Sequence, residues 1–192
     1  MKIKPIFFIS IAIAFASLVI FFIPYSLKMF AFSGTKFFSG EFWRLITFSF
    51  AHVNASHLFE NVVAIVLVSI LGYEFGLSGK LFLLFFLGVS FLVAILDAII
   101  FPLLVIAGAS LGIYGVAGAL SIKGSNFIPK RYLIPLLGVT VFFTYFFGSF
   151  TCAECSRDFV QALFHFSGFL TGIILVYIPR KFKNKKYVLR HV

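Results

Sequence analysis

A chain of 192 residues in which 61% are hydrophobic and 11% charged, with a mean hydropathy of +1.11, carries more apolar surface than a soluble domain of that length can hide. Soluble enzymes, nucleic-acid-binding modules and disordered tails are excluded together, and the chain is expected in a membrane. The net charge of +10 is no nucleic-acid signal, because the Lys and Arg residues stand in short segments between apolar runs, where they act as topology determinants.

Crossing about 30 Å of hydrocarbon takes about 20 helical residues. Apolar runs of that order lie at Pro5 to Pro24, His57 to Tyr73, Leu81 to Phe101, Ile128 to Phe150 and Phe159 to Ile178, with a shorter run at Ser110 to Ser121. Strict alternation is absent, so helices rather than a β-barrel satisfy the backbone in lipid, and six spans are expected. The first run follows Met-Lys-Ile-Lys; it exceeds a secretory h-region and lacks a small-residue cleavage site after it, so it reads as a retained anchor. Between it and the second run, the connection from Tyr25 to about Ser56 is too long for a simple turn. Its Phe residues and Trp43 suit a partly interfacial loop.

Orientation follows from the basic residues. Twelve of the sixteen Lys and Arg fall at the N-terminus, the second and fourth connections and the tail, against four (Lys28, Lys36, Arg44, Arg157) on the other side. Both termini are therefore expected to be cytoplasmic. Residues 1–178 form the expected membrane domain and 179–192 a basic cytoplasmic tail, for which anionic-lipid binding is a secondary effect of the same charge.

The polar residues inside the runs are few. His57 and Asn61 share a helix face at i, i+4. Ser110 opens the short fourth helix behind Gly108 and Ala109, and His165 precedes Gly168 and Gly172. Counting from Glu74, Lys123 and Arg180, each group stands about 20 Å above the cytoplasmic boundary at 1.5 Å per residue, so Asn, Ser and His reach one level. The twelve-residue fourth run is only about 18 Å long, and Phe101 to Ala109 must enter the membrane as irregular chain. Such backbone is tolerated at depth where it is buried in protein or lines an aqueous cavity. Gly112, Gly115, Gly118 and Ala119 on the fourth helix, and the GxxxG of Gly168 and Gly172 on the sixth, allow close helix contact. That contact would bring the His165 imidazole to the Ser110 hydroxyl, the arrangement that makes a hydroxyl a nucleophile. His57, Asn61 and the Ser110 amide are then candidate donors to an oxyanion.

Each residue also has a plainer reading. A histidine in a span is often a helix-helix hydrogen-bonding group, and serine after Gly-Ala is a common packing residue. Trp43 and Arg44 read as structural anchors of the first loop. Asp97, near the outer end of the third span, reads as a snorkelling or capping acid, although an intramembrane acid raises a functional question by default. Cys152 and Cys155 form a CxxC with no second pair to complete a zinc site; a loop-stiffening disulfide and two free thiols remain the alternatives.

Taken together these motifs resemble the rhomboid intramembrane serine proteases. Trp43-Arg44 resembles that family's first-loop Trp-Arg, His52-x-x-x-x-His57-x-x-x-Asn61 its second-helix signature, Gly108-Ala109-Ser110-Leu111 its GxSx motif, and His165-Phe166-Ser167-Gly168 its sixth-helix motif. The resemblance implies an all-α, six-helix rhomboid-like bundle in the cell membrane, with Ser110 as nucleophile, His165 as base, and His57, Asn61 and Ser110 around the oxyanion. Gly108, Tyr114 and Gly168 support the site, Tyr114 as the aromatic that packs on the histidine. It further implies transmembrane protein substrates with a helix-weakening segment and a small residue before the cut, and no metal or cofactor. Leu111, where many relatives have Gly, is a departure that would narrow the cleft. Glu60, where many have an apolar residue, is another; about 100 degrees from Asn61 on the helix, it is expected to face elsewhere. A proteolytically inactive client-binding relative is the competing reading, and a small transporter is disfavoured by the lack of repeats.

Overall fold

The computed structural model describes residues 4–138 and 155–178, with side chains from 160 onward in the second segment. Among the described residues there is no strand, only helices and one isolated antiparallel bridge between Phe32 and Ile106. Helix α1 (Pro5–Phe21) begins with proline at its first position, where the missing N–H costs no hydrogen bond. Its Ile6, Ser10, Ile13 and Ser17 are buried, a spacing of four, three and four that makes one face. That face meets the turn between the next two long helices, where Gly72 sits against Ile6 and Gly79 against Pro5 and Ile9.

The first connection is folded rather than open. It contains α2 (Ser26–Phe30), α3 (Gly34–Phe38) and α4 (Arg44–Thr47), followed by a 3-10 turn at Phe48–Phe50. Arg44 is buried and ties these pieces together: Nε donates to Glu41 at 2.7 Å, Nη1 to the Ala31 carbonyl at 2.7 Å and Nη2 to the Lys28 carbonyl at 2.8 Å. Lys36 reaches the same carboxylate at 2.9 Å. Lys36, then Arg44, hold the Glu41 carboxyl below its usual range. Trp43 is half exposed, with its indole N–H 3.4 Å from the Met29 carbonyl.

Helix α5 (Ala55–Glu74) is capped by Asn54, whose side chain accepts from the His57 N–H at 2.8 Å, and α6 (Gly79–Ile100) by Ser78. Both caps supply an acceptor to an amide that the helix leaves unpaired. Residues 101–109 form no helix, and α7 (Ser110–Lys123) then runs for 14 residues with most side chains buried. A helix apolar all round belongs inside a bundle, and α7 packs against α5, α6 and α9 (Cys155–Tyr177). Residues 130–138 begin a further helix, α8; the rest of the expected fifth run, the Cys152–Cys155 pairing and the basic tail 179–192 lie outside the described residues.

Among the described residues three helices are long and apolar enough to cross a membrane: α5, α6 and residues 160–177 of α9. The described residues are thus those of a helical membrane protein. The seam between α7 and α9 is its closest contact. A Cβ at Gly118 would fall on the Phe169 carbonyl oxygen, and one at Gly172 on the Gly115 carbonyl, so backbone meets backbone where any side chain would hold the helices apart. Asp97 corrects its sequence reading: its side chain neither snorkels nor caps but is buried in α6, with Oδ2 unpartnered among the described residues. The α6 face that carries Asp97 also carries Val93 and Ala94, so helical spacing turns it toward the core.

Candidate active site

Ser110 is the first residue of α7 and His165 lies mid-way along α9. The glycine seam fixes their separation, and His165 Nε2 stands 2.9 Å from Ser110 Oγ. At that distance the imidazole can accept the serine proton, provided Nδ1 carries the ring hydrogen. The Tyr114 ring, one turn below Ser110, packs on the His165 ring with centroids 4.7 Å apart. Gly168 sits one turn below His165, where a Cβ would come within 3.1 Å of the Leu111 carbonyl. Small size here is what lets the histidine helix approach the start of α7.

Gly108 occupies the left-handed region at φ +121, and a Cβ there would meet His57 at 2.7 Å and the Asn61 amide nitrogen at 3.6 Å. Glycine is thus required both by conformation and by space. Its N–H donates to the Phe48 carbonyl at 2.9 Å, which moors the irregular chain to the first loop. Ile106 and Phe32 exchange two backbone hydrogen bonds at 2.8 and 2.9 Å, a second mooring of the same kind. In consequence His57 and Asn61 flank the chain just before Ser110. Asn61 is buried, and Nδ2 donates to the His57 carbonyl at 2.9 Å, leaving its second amide hydrogen for another acceptor. Backbone N–H groups at the start of α7 have no helical acceptors of their own and add to a locally positive region.

Behind His57 stands His52, buried, with ring centroids 5.2 Å apart in an edge-on arrangement. Its Nδ1 donates to the Phe50 carbonyl at 3.1 Å. Burial, reinforced by His57, pushes the His52 imidazole down to about 4, so it is neutral over the physiological range and serves as a fixed support for His57.

Ser110, His165 and His57 open into one cavity of about 710 Å³. Asn54 and the first turns of α5 (Ser56, His57, Glu60) give it a polar lining, and Leu103, Val105 and Phe164 are among the residues that give it an apolar one. Two residues not anticipated as site residues belong here. Gln161 lines the cavity four residues before His165, an i, i+4 relation that sequence alone would have supported. Glu60 also lines it, contrary to the expectation that it faces elsewhere: measured from His57 rather than Asn61 it is at i+3, close to the same face. Trp43 and Arg44 lie away from this cavity, in the first loop. Among the described residues no cluster of three or more His, Cys, Asp or Glu side chains suits a metal ion.

Comparison with known proteins agrees with this arrangement at the level of family. The chain is 30% identical over 150 residues to Rhomboid-related protein 1 of Caenorhabditis elegans, a match covering 72% of this chain and 40% of that relative. The chain therefore corresponds to about two fifths of the relative's length. The family model for the Rhomboid domain matches residues 39–182, three quarters of the sequence, including every motif described above, and the chain belongs to the rhomboid family.

Proposed function

We propose that this chain is an intramembrane serine endopeptidase, a multi-pass protein of the cell membrane with six spans and both termini cytoplasmic. The observation that carries the reading is the 2.9 Å contact between Ser110 Oγ and His165 Nε2 in a cavity large enough for a stretch of peptide. In the first half-reaction Ser110 Oγ attacks the scissile carbonyl carbon while its proton passes to His165 Nε2. The tetrahedral oxyanion is met by the Ser110 backbone N–H, the free amide hydrogen of Asn61 and His57. Collapse breaks the C–N bond, and His165 returns the proton to the departing amine. Water then attacks the Ser110 acyl-enzyme, again giving its proton to His165, and the acid product leaves with Oγ reprotonated.

No carboxylate orients His165 in this scheme; the Tyr114 ring and the α7–α9 seam do so by packing. Water needed for the second half-reaction is accommodated by the polar lining of Asn54, Ser56, His57 and Glu60. Substrates are transmembrane proteins whose helix yields near the cut, because a carbonyl in an intact helix is hydrogen-bonded and cannot lie against Ser110. The test is cleavage of a single-pass transmembrane peptide by the purified protein in liposomes. Native protein is expected to cut it and Ser110→Ala to leave it intact. A peptide held by native protein but never cut would assign the cavity to client binding instead.

A further inference from the structure

One charged side chain in the cavity has no part in the hydrolysis just described. Glu60 is exposed to the cavity, and among the described residues it is the only carboxylate lining it and no Lys or Arg does. Its hydrogen-bond partner is the Ser56 hydroxyl at 3.3 Å, and among the described residues both ion pairs involve Glu41, none Glu60. From Glu74 it stands about 21 Å up α5, and about 7 to 8 Å below the start of that helix at Ala55. A carboxylate at such depth needs water or a cation, and one hydroxyl at 3.3 Å leaves most of its acceptor capacity open. The apolar part of the lining, with Leu103, Val105 and Phe164, supplies neither.

We infer that Glu60 is a specificity residue that receives a basic side chain of the substrate, a Lys or Arg within a few residues of the scissile bond. The inference rests on the proteolytic reading of the same cavity. One turn separates Glu60 from His57, so a chain laid against Ser110 brings its neighbouring side chains past the carboxylate. For a Lys or Arg in a transmembrane segment the transfer has two gains: the cation leaves a depth at which lipid solvates it poorly, and its aliphatic stem lies along the apolar wall. A neutral substrate leaves Glu60 with only the Ser56 hydroxyl and water, and an acidic one is repelled. The preference therefore arises from this one position rather than from the hydrolytic groups, which are indifferent to the charge of neighbouring side chains.

The experiment uses the full chain in liposomes and one transmembrane peptide sequence, with Lys, Gln or Glu placed in turn at each of the positions flanking the cut. Native protein is expected to favour Lys over Gln by about three- to tenfold in kcat/KM at one or two positions, the range for a partly solvated charge pair. Glu60→Gln removes the preference and Glu60→Lys transfers it to the Glu peptide, while labelling of Ser110 by a fluorophosphonate verifies that each variant is folded. Equal Lys-to-Gln ratios in native protein and both variants overturn the inference. A parallel arm photo-cross-links the same peptides to Ser110→Ala protein with and without Glu60→Gln. Charge preference in cross-linking without cleavage by native protein would retain the role of Glu60 and reject the protease. Cleavage with no charge preference in either arm would do the reverse.

Discussion

Two regions of this molecule bury polar groups, and they do so differently. Around Arg44 the polar set is closed: three guanidinium nitrogens meet Glu41 and two carbonyls, and Lys36 takes the remaining side of the carboxylate. Around Ser110 the set is open. Asn61 uses one amide hydrogen on the His57 carbonyl, and the start of α7 presents amides with no helical acceptor. Buried polar groups are costly unless matched, so a closed set is what stability alone requires. An open set that is similarly buried is retained where a further partner arrives, and here the cavity admits one. The two regions are joined through backbone, since the loop that Arg44 organises holds Ile106 and Gly108 by the carbonyls of Phe32 and Phe48.

The sharpest way to break this contrast is to remove one member from each set. Ser110→Ala and His165→Ala should each lower cleavage on the order of a thousandfold or more while leaving the thermal midpoint in detergent within a few degrees, and the double variant should be hardly slower than either. Additive losses would mean that the two groups do not act as one unit. Arg44→Ala should do the opposite, lowering stability by about 3–5 kcal/mol with the rate per folded molecule unchanged. Arg44→Lys should recover little of it, because an ammonium cannot serve Glu41 and two separate carbonyls in the geometry of the guanidinium fork.

Asn61 stands between the extremes, since it has one internal bond and one open donor. Asn61→Ala should reduce kcat by about tenfold to a thousandfold with little change in KM, because the charge it meets exists mainly in the transition state. A lower melting temperature with an unchanged rate would return Asn61 to the closed class.

The smallest effect is one of pH. His52 has its imidazole lowered from 6.5 to about 4, so between those values the unfolded chain binds more protons than the folded one and stability rises with pH. Above about 6.5 the residue contributes no slope. Stability of the native protein should therefore fall as pH is lowered from 6.5 toward 4, and His52→Gln should flatten that part of the profile. Parallel profiles would remove His52 as the source.

How much of this was legible in the sequence depends on how local the cause is. The start of α7 at Ser110 and its shortness were evident from the run itself, whereas α5 and α6 start at Ala55 and Gly79, two residues before the apolar runs at His57 and Leu81, because the caps Asn54 and Ser78 and not the first apolar residue set a helix start. The meeting of Ser110 and His165 was legible because glycines on both helices permit little else. The internal structure of the first loop was not, because Arg44 takes carbonyls from Lys28 and Ala31, whose exposure depends on where two short helices end. The antiparallel bridge of Phe32 with Ile106 joins segments far apart in the chain, and neither carries a strand pattern. Asp97 was misplaced because it was read from its position near the end of the span, and Glu60 because it was read against Asn61 alone; neither was read against its whole helix face. Burial of Val93 and Ala94 beside Asp97, and the i+3 relation of Glu60 to His57, decide both.

The central claim is that the open polar set around Ser110 makes its hydroxyl a nucleophile. It is tested most directly by treating the purified, folded protein with a fluorophosphonate and locating the adduct by mass spectrometry. The account predicts one covalent adduct on Ser110, lost in Ser110→Ala and in His165→Ala but present per folded molecule in Arg44→Ala. An adduct that persists in Ser110→Ala, or native protein that stays unmodified while fully folded, would contradict it.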